Sequence, residues 1–106
     1  MTRTEVSRLE RAERALHVDG DLVTARACFD EAFAQSERDG DAPAMARAAL
    51  GLGGVWVHER RSRLDAARVE ARQRLALSLL DPTSALALRL RIRLAAESDY
   101  RTGRSD

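Results

Sequence analysis

The chain has 106 residues, a length that suits one small domain, and 44% of them are hydrophobic, enough to build a packed core. One cysteine, Cys28, excludes a disulfide framework or a thiolate metal site within a single chain. No apolar run has the length of a signal peptide or a membrane span, which predicts a cytoplasmic protein with no membrane partner. The 33% charged residues predict an elongated shape with much surface, such as a short helical stack. The net charge of +1 is unevenly spread: residues 1–59 carry 7 arginines and 11 acids, residues 60–106 carry 11 arginines and 6 acids. An acidic front and a basic rear would steer a partner or favour head-to-tail contacts, unless they are no more than ordinary charged helix surfaces.

Ala and Leu dominate the apolar set and Ile92 is the only isoleucine, a composition that favours helix over sheet. Thr2 and Glu5 have the spacing of a capping box, and Val6, Leu9, Ala12 and Leu16 come after them at helical intervals, giving a first helix over about residues 4–18. Asp19-Gly20-Asp21 stops it. A second helix over about 22–38 has the stripe Leu22, Ala25, Cys28, Phe29, Ala32 and Phe33. Asp39-Gly40-Asp41 breaks the chain in the same way, and Pro43 falls in the first turn of the next helix, where its missing N–H costs nothing. That third helix, about 43–60, buries Met45, Ala48, Ala49, Leu52, Val55 and Trp56. Gly51, Gly53 and Gly54 lie inside it. Each costs a helix roughly 0.5–1 kcal/mol relative to Ala, so the cluster implies close approach of a neighbouring helix.

A fourth helix, about 63–80, aligns Leu64, Ala67, Ala71, Leu75 and Leu79. Asp81-Pro82 then reads as a cap and a first helical residue, starting a fifth helix over about 82–100. Here Leu86, Leu88, Leu90, Ile92 and Leu94 alternate with other residues, a strand-like period, while Leu, Arg and Ala argue for helix. Read as a helix, Leu86, Leu90 and Leu94 take one side and Leu88, Ile92 and Ala95 nearly the opposite one. Such two-sidedness suits an interior element of a stack, so the outer side needs a cover. The polar tail Thr102–Asp106 is expected to fray.

Residues 9–32, with Leu9, Ala12, Leu16, Gly20-Asp21-Leu22, Ala25, Phe29 and Ala32, resemble a tetratricopeptide repeat. Small Ala residues would let two antiparallel helices approach while Phe29 fills the gap between pairs. Glu13 and Glu37 depart from the pattern, standing where a small residue and a closing proline are usual. In the second pair Gly54 and Ala66 keep the twelve-residue offset, but Glu70 and Gln73 replace an aromatic and a small residue. The resemblance covers about residues 5–80 and implies an all-α fold of about five antiparallel helices in a right-handed stack, the fifth being the first half of a third repeat. The segment Ala48-Ala49-Leu50-Gly51-Leu52-Gly53-Gly54-Val55-Trp56-Val57-His58-Glu59 looks like part of the helical-repeat region of large actinobacterial regulators, which join an ATPase domain, helical repeats and often a LuxR-type helix-turn-helix. The stretch Leu86 to Tyr100 is similar to the next segment of that region. The absence of Lys and Asn, both with AT-rich codons, agrees with a high-GC source. Neither ATPase motifs nor DNA-binding helices are present.

Chemistry-bearing motifs are weak. Gly51-x-Gly53-Gly54 lacks the third glycine spacing of a dinucleotide loop, and no phosphate-binding Gly-Lys-Ser/Thr occurs. His58-Glu59 begins like a zinc-protease motif, but position 62 is Ser, and His17 is isolated. The Asp-Gly-Asp turns lack a calcium-loop ladder. No catalytic residue, metal or cofactor is expected, and the chain reads as no enzyme. Trp56 is either a partner or ligand contact or core packing. The arginines at 60, 61, 63, 89, 91 and 93 either contact nucleic-acid phosphates or form solvated rims. The reading is thus a protein-interaction module, a stand-alone or excised piece of a regulator's sensor region. Trp56, Leu88, Arg89, Ile92, Arg93 and Tyr100 are its candidate contacts, and helix five is its route to a partner or to self-association. A small apolar ligand near Trp56 is the alternative, and weak nucleic-acid binding by the Arg-rich rear a further one.

Overall fold

Straight-chain and small residues lose little freedom in a helix, and the punctuation between the periodic stretches is sharp. A computed structural model describes the backbone of residues 3–59 and 63–102 and the side chains of residues 8–54 and 66–96. Among these residues the chain is all-α, with α1 (Arg3–Arg14), α2 (Leu22–Asp39), α3 (Ala42–Glu59), α4 (Arg63–Leu79) and α5 (Ala85–Thr102), and no strand. Propensity therefore prevails over the period-two pattern at residues 86–94. Thr2 and residues 103–106, where a capping box and a frayed tail are predicted, lie outside the described residues, as do the side chains of Val55, Trp56, Leu64 and Tyr100.

Both Asp-Gly-Asp segments end one helix and start the next. The last turn after α1 widens into a π-type turn, Ala15–Asp19, closed by Gly20 at φ 65°. Asp21 then caps α2: its carboxylate accepts from the Thr24 N–H at 3.1 Å and the Thr24 hydroxyl at 2.7 Å. At the next turn Gly40 takes φ 68°, and the Asp41 N–H donates to the Ser36 carbonyl at 2.9 Å in a Schellman arrangement. The Asp41 carboxylate accepts from the Ala44 N–H at 3.2 Å. Two-residue links between helices that pack along their length force the neighbours to run antiparallel.

α2 buries Ala25, Cys28, Phe29, Ala32 and Phe33 as the stripe predicts, and Ser36 with them. The Ser36 hydroxyl is satisfied inside the helix, donating to the Ala32 carbonyl at 2.6 Å. In α3, Met45, Ala48, Ala49 and Leu52 are buried, joined by Ala44 and Ala46. The glycines mark close approaches. A Cβ on Gly51 would lie 2.2 Å from Cε1 of Phe29, one on Gly53 would lie 2.6 Å from Nε2 of Gln73, and one on Gly54 would lie 3.1 Å from Cδ2 of Leu16.

Two expectations are corrected. The apolar row Ala67, Ala71, Leu75 and Leu79 of α4 is exposed, with Leu75 39% and Leu79 55% accessible. The buried row is Gln73, Ala76 and Leu80, with Val69 and Leu77 partly buried beside it. The rows lie on opposite sides of the helix, and periodicity could not choose between them, because the inner one carries a glutamine. Gln73 is tolerated there because its Nε2 donates to the Ala49 carbonyl at 3.2 Å. The second correction is the start of α5. Asp81 does not cap the helix. It forms a tight turn in which its carboxylate accepts from the Thr83 N–H at 2.9 Å and hydroxyl at 2.8 Å. The cap is Ser84, whose Oγ accepts from the Ala87 N–H at 3.1 Å.

α1 packs on α3 and α3 on α5, forming one layer; α2 and α4 lie across them, each packing between its chain neighbours. Arg72 of α4 ties the second layer together. Its guanidinium pairs with Asp30 of α2 and sits 5.2 Å from the centre of the Phe33 ring. The molecule measures 43 × 32 × 22 Å, and its radius of gyration of 13.3 Å is that of an ordinary compact domain, about 13 Å for 100 residues. The elongation predicted from charge content is slight.

Candidate partner-binding groove

The layer α1–α3–α5 holds a groove of about 440 Å³. Three local features create it. The π-type turn ends α1 with Leu16 and His17 facing α3. Gly51 and Gly54 remove side chains from the middle of α3, so the groove floor drops onto Phe29 beneath. The outer side of α5 supplies the far wall with Ile92 and Ala96, flanked by Arg89 and Arg93.

The floor is apolar and the rim charged. Leu16, Leu50 and Ile92 provide the greasy surface above the buried Phe29 ring, and Glu13, Arg47, Arg89 and Arg93 the charges. Arg47 donates to Glu13 across the α1–α3 seam at 2.7 Å, both side chains being part-exposed. Arg47 is engaged by Glu13, and Arg89 adds an exposed positive charge to the rim. Arg89 is exposed and joins no ion pair with a described acid, whereas Arg93 is half-buried against Gly53 of α3.

Of the predicted contact residues, Arg89, Ile92 and Arg93 meet in this groove. Leu88 is also exposed, at 52%, but does not line it, and Trp56 and Tyr100 have no described side chains. The opposite side of α5 packs inward as the sequence predicts, through Leu90 and Leu94 with Leu86 partly buried. Sequence reasoning did not assign Glu13, Arg47, His17 or Leu50 to a site. Glu13 did carry a signal, as the charged residue standing where a repeat of this kind takes a small one.

No group of three or more metal-ligating side chains occurs among the described residues. Cys28 is buried. No helix among the described residues is long and apolar enough to cross a membrane. No family model, curated protein or solved structure matches the chain.

Proposed function

We propose that the chain is a non-catalytic, tetratricopeptide-like interaction module of the kind that forms the sensor region of bacterial regulators, and that its groove holds a segment of a protein partner. The observation that carries the reading is the pairing of an apolar floor with an arginine-rich rim in the layer α1–α3–α5. Such a surface fits an extended or helical segment that buries one or two apolar side chains and sets a carboxylate against the exposed Arg89. A bare apolar ligand would leave Arg89 unused. A groove of this size is also in the range of small-molecule sites, roughly 300–1,000 Å³, so an apolar small molecule is the second reading. A nucleic acid would need a basic surface without an apolar trough, and the rear-half arginines are partly spent on Asp30 and Glu70.

The test titrates the isotope-labelled chain with a twelve-residue peptide carrying two leucines at i and i+4 between glutamates, and with its lysine-for-glutamate counterpart. The acidic peptide is expected to shift the amides of Leu16, Gly51, Gly54 and Ile92, weakly at high salt, and the basic one not to. Arg89→Glu should abolish the difference. Shifts confined to other surfaces, or equal binding of both peptides, would reject the reading.

A further inference from the structure

Gly51, Gly53 and Gly54 lie inside α3, and a glycine there weakens a helix relative to alanine, so each needs a compensating reason. Packing supplies it for two of them. A Cβ on Gly51 would lie 2.2–2.6 Å from three atoms of the Phe29 ring. One on Gly53 would lie 2.6 Å from Nε2 of Gln73 and 3.2 Å from Nε of Arg93. Phe29 and Gln73 are fully buried side chains of neighbouring helices, with little room to give way.

Gly54 is different. Among the described residues a Cβ there would meet only Cδ2 of Leu16, at 3.1 Å, the far end of a flexible side chain. The fold can take an alanine at this position, so packing does not account for the glycine. The missing side chain does give the groove depth. Arg47, Leu50 and Gly54 follow at three- and four-residue steps and line the groove from α3. Position 54 thus continues a groove-facing row whose other members carry long side chains. At Gly54 the row opens a pit, walled by Leu16 at the end of α1, Leu50 of α3 and Ile92 of α5, all apolar. Arg89 lies three residues before Ile92 on α5, which places an exposed positive charge about one turn from the pit.

We infer that Gly54 is the specificity-determining residue of the groove. Its missing side chain makes the pit that receives one large apolar side chain of the partner segment, leucine-sized or larger, while Arg89 holds a neighbouring carboxylate. This rests on the groove being the partner site, and it adds selection by the size of the anchor. An alanine anchor leaves the pit unfilled, and a side chain at position 54 fills it from within the protein.

Titration of the isotope-labelled full chain tests it, as wild type, Gly54→Ala and Gly54→Leu. The probes are the acidic twelve-residue peptide with two leucines and a copy with alanine at both leucine positions. The wild type is expected to bind the leucine peptide at least about tenfold more tightly, from the extra carbon atoms buried in the pit. Gly54→Ala should cut that preference by about threefold and Gly54→Leu should nearly abolish it, while affinity for the alanine peptide changes little. Gly54→Ala adds one methyl that the fold accommodates, so its result stands even where melting shows that Gly54→Leu is unfolded. Arg89→Glu should weaken both peptides alike and reads the charge contact separately. A wild type that binds the leucine peptide through Arg89, with a leucine preference absent or unchanged in Gly54→Ala, would overturn the inference and leave the proposed function standing. A wild type that binds neither peptide in the groove would overturn both.

Discussion

Replacing Gly51 with alanine separates two physical effects that act in opposite directions. In an isolated helix the change stabilises, by roughly 0.5–1 kcal/mol, because alanine has less backbone freedom to lose. Here the added methyl would lie 2.2 Å, 2.3 Å and 2.6 Å from three atoms of the Phe29 ring. Carbon atoms in contact prefer about 3.5–4.0 Å, so α2 and α3 must part by more than an ångström or the ring must turn. Phe29 is fully buried, and a ring packed on all sides has little room to turn. Overpacking of this kind costs typically about 1–3 kcal/mol. The net expectation is a loss of about 1–2 kcal/mol, or a melting temperature lower by roughly 5–15 °C for a domain of this size. Circular-dichroism melting of wild type, Gly51→Ala, Phe29→Leu and the double variant measures it. Phe29→Leu alone is destabilising, but the double variant should lose less than the sum, with a coupling of about 1 kcal/mol. Gly54→Ala is the internal control: its methyl would meet only the tip of Leu16, at 3.1 Å, and it should be neutral or slightly stabilising. A Gly51→Ala protein that melts higher than wild type, or strict additivity with Phe29→Leu, would refute the packing argument.

Further expectations concern the polar core, the clamp between α2 and α4, and acid. Gln73 is fully buried and its Oε1 accepts no hydrogen bond; Gln73→Met should therefore stabilise, by up to about 1 kcal/mol in urea denaturation, and a clear loss would show that the amide is needed. Arg72→Ala removes both the Asp30 pair and the Phe33 ring contact and should cost about 1–1.5 kcal/mol, with Arg72→Lys recovering less than half, since an ammonium cannot serve both partners equally. The carboxyls of Asp21 and Asp81 are held below the usual carboxylate value of 3.8, the first chiefly by the Thr24 hydroxyl and the second chiefly by the Thr83 N–H. Groups lowered on folding stabilise fully above their unfolded value and lose that contribution as the pH falls through the folded one. Acidification below about pH 4 should thus lower the melting temperature. Combining Asp21→Asn with Asp81→Asn removes the two titrating carboxyls and should flatten that acid-side slope, and an unchanged slope would count against the assignment.

The helices and their turns are legible without tertiary information because their causes are local. Gly20 and Gly40 are where the chain turns left-handed, Asp21 and Asp41 bond N–H groups three residues on, and the Leu9–Leu16 and Ala25–Phe33 rows hold one apolar side each. Residues 86–94 are helical despite their alternation, as their propensities indicate. Even the glycine cluster announces close packing, since nothing local rewards it.

The choice of buried side on α4 is not local. Its two candidate rows differ little in apolar content, and the neighbours decide between them: Ala49 offers a carbonyl to Gln73, Asp30 and Phe33 hold Arg72, and together they turn Leu75 and Leu79 outward. The groove is decided in the same way. Glu13, Gly51 and Ile92 are far apart in the chain, and no spacing rule links them. They meet because α1, α3 and α5 share a layer. Helical periodicity specifies which residues share a side of each rod, but only packing against other rods specifies which side is left for a partner.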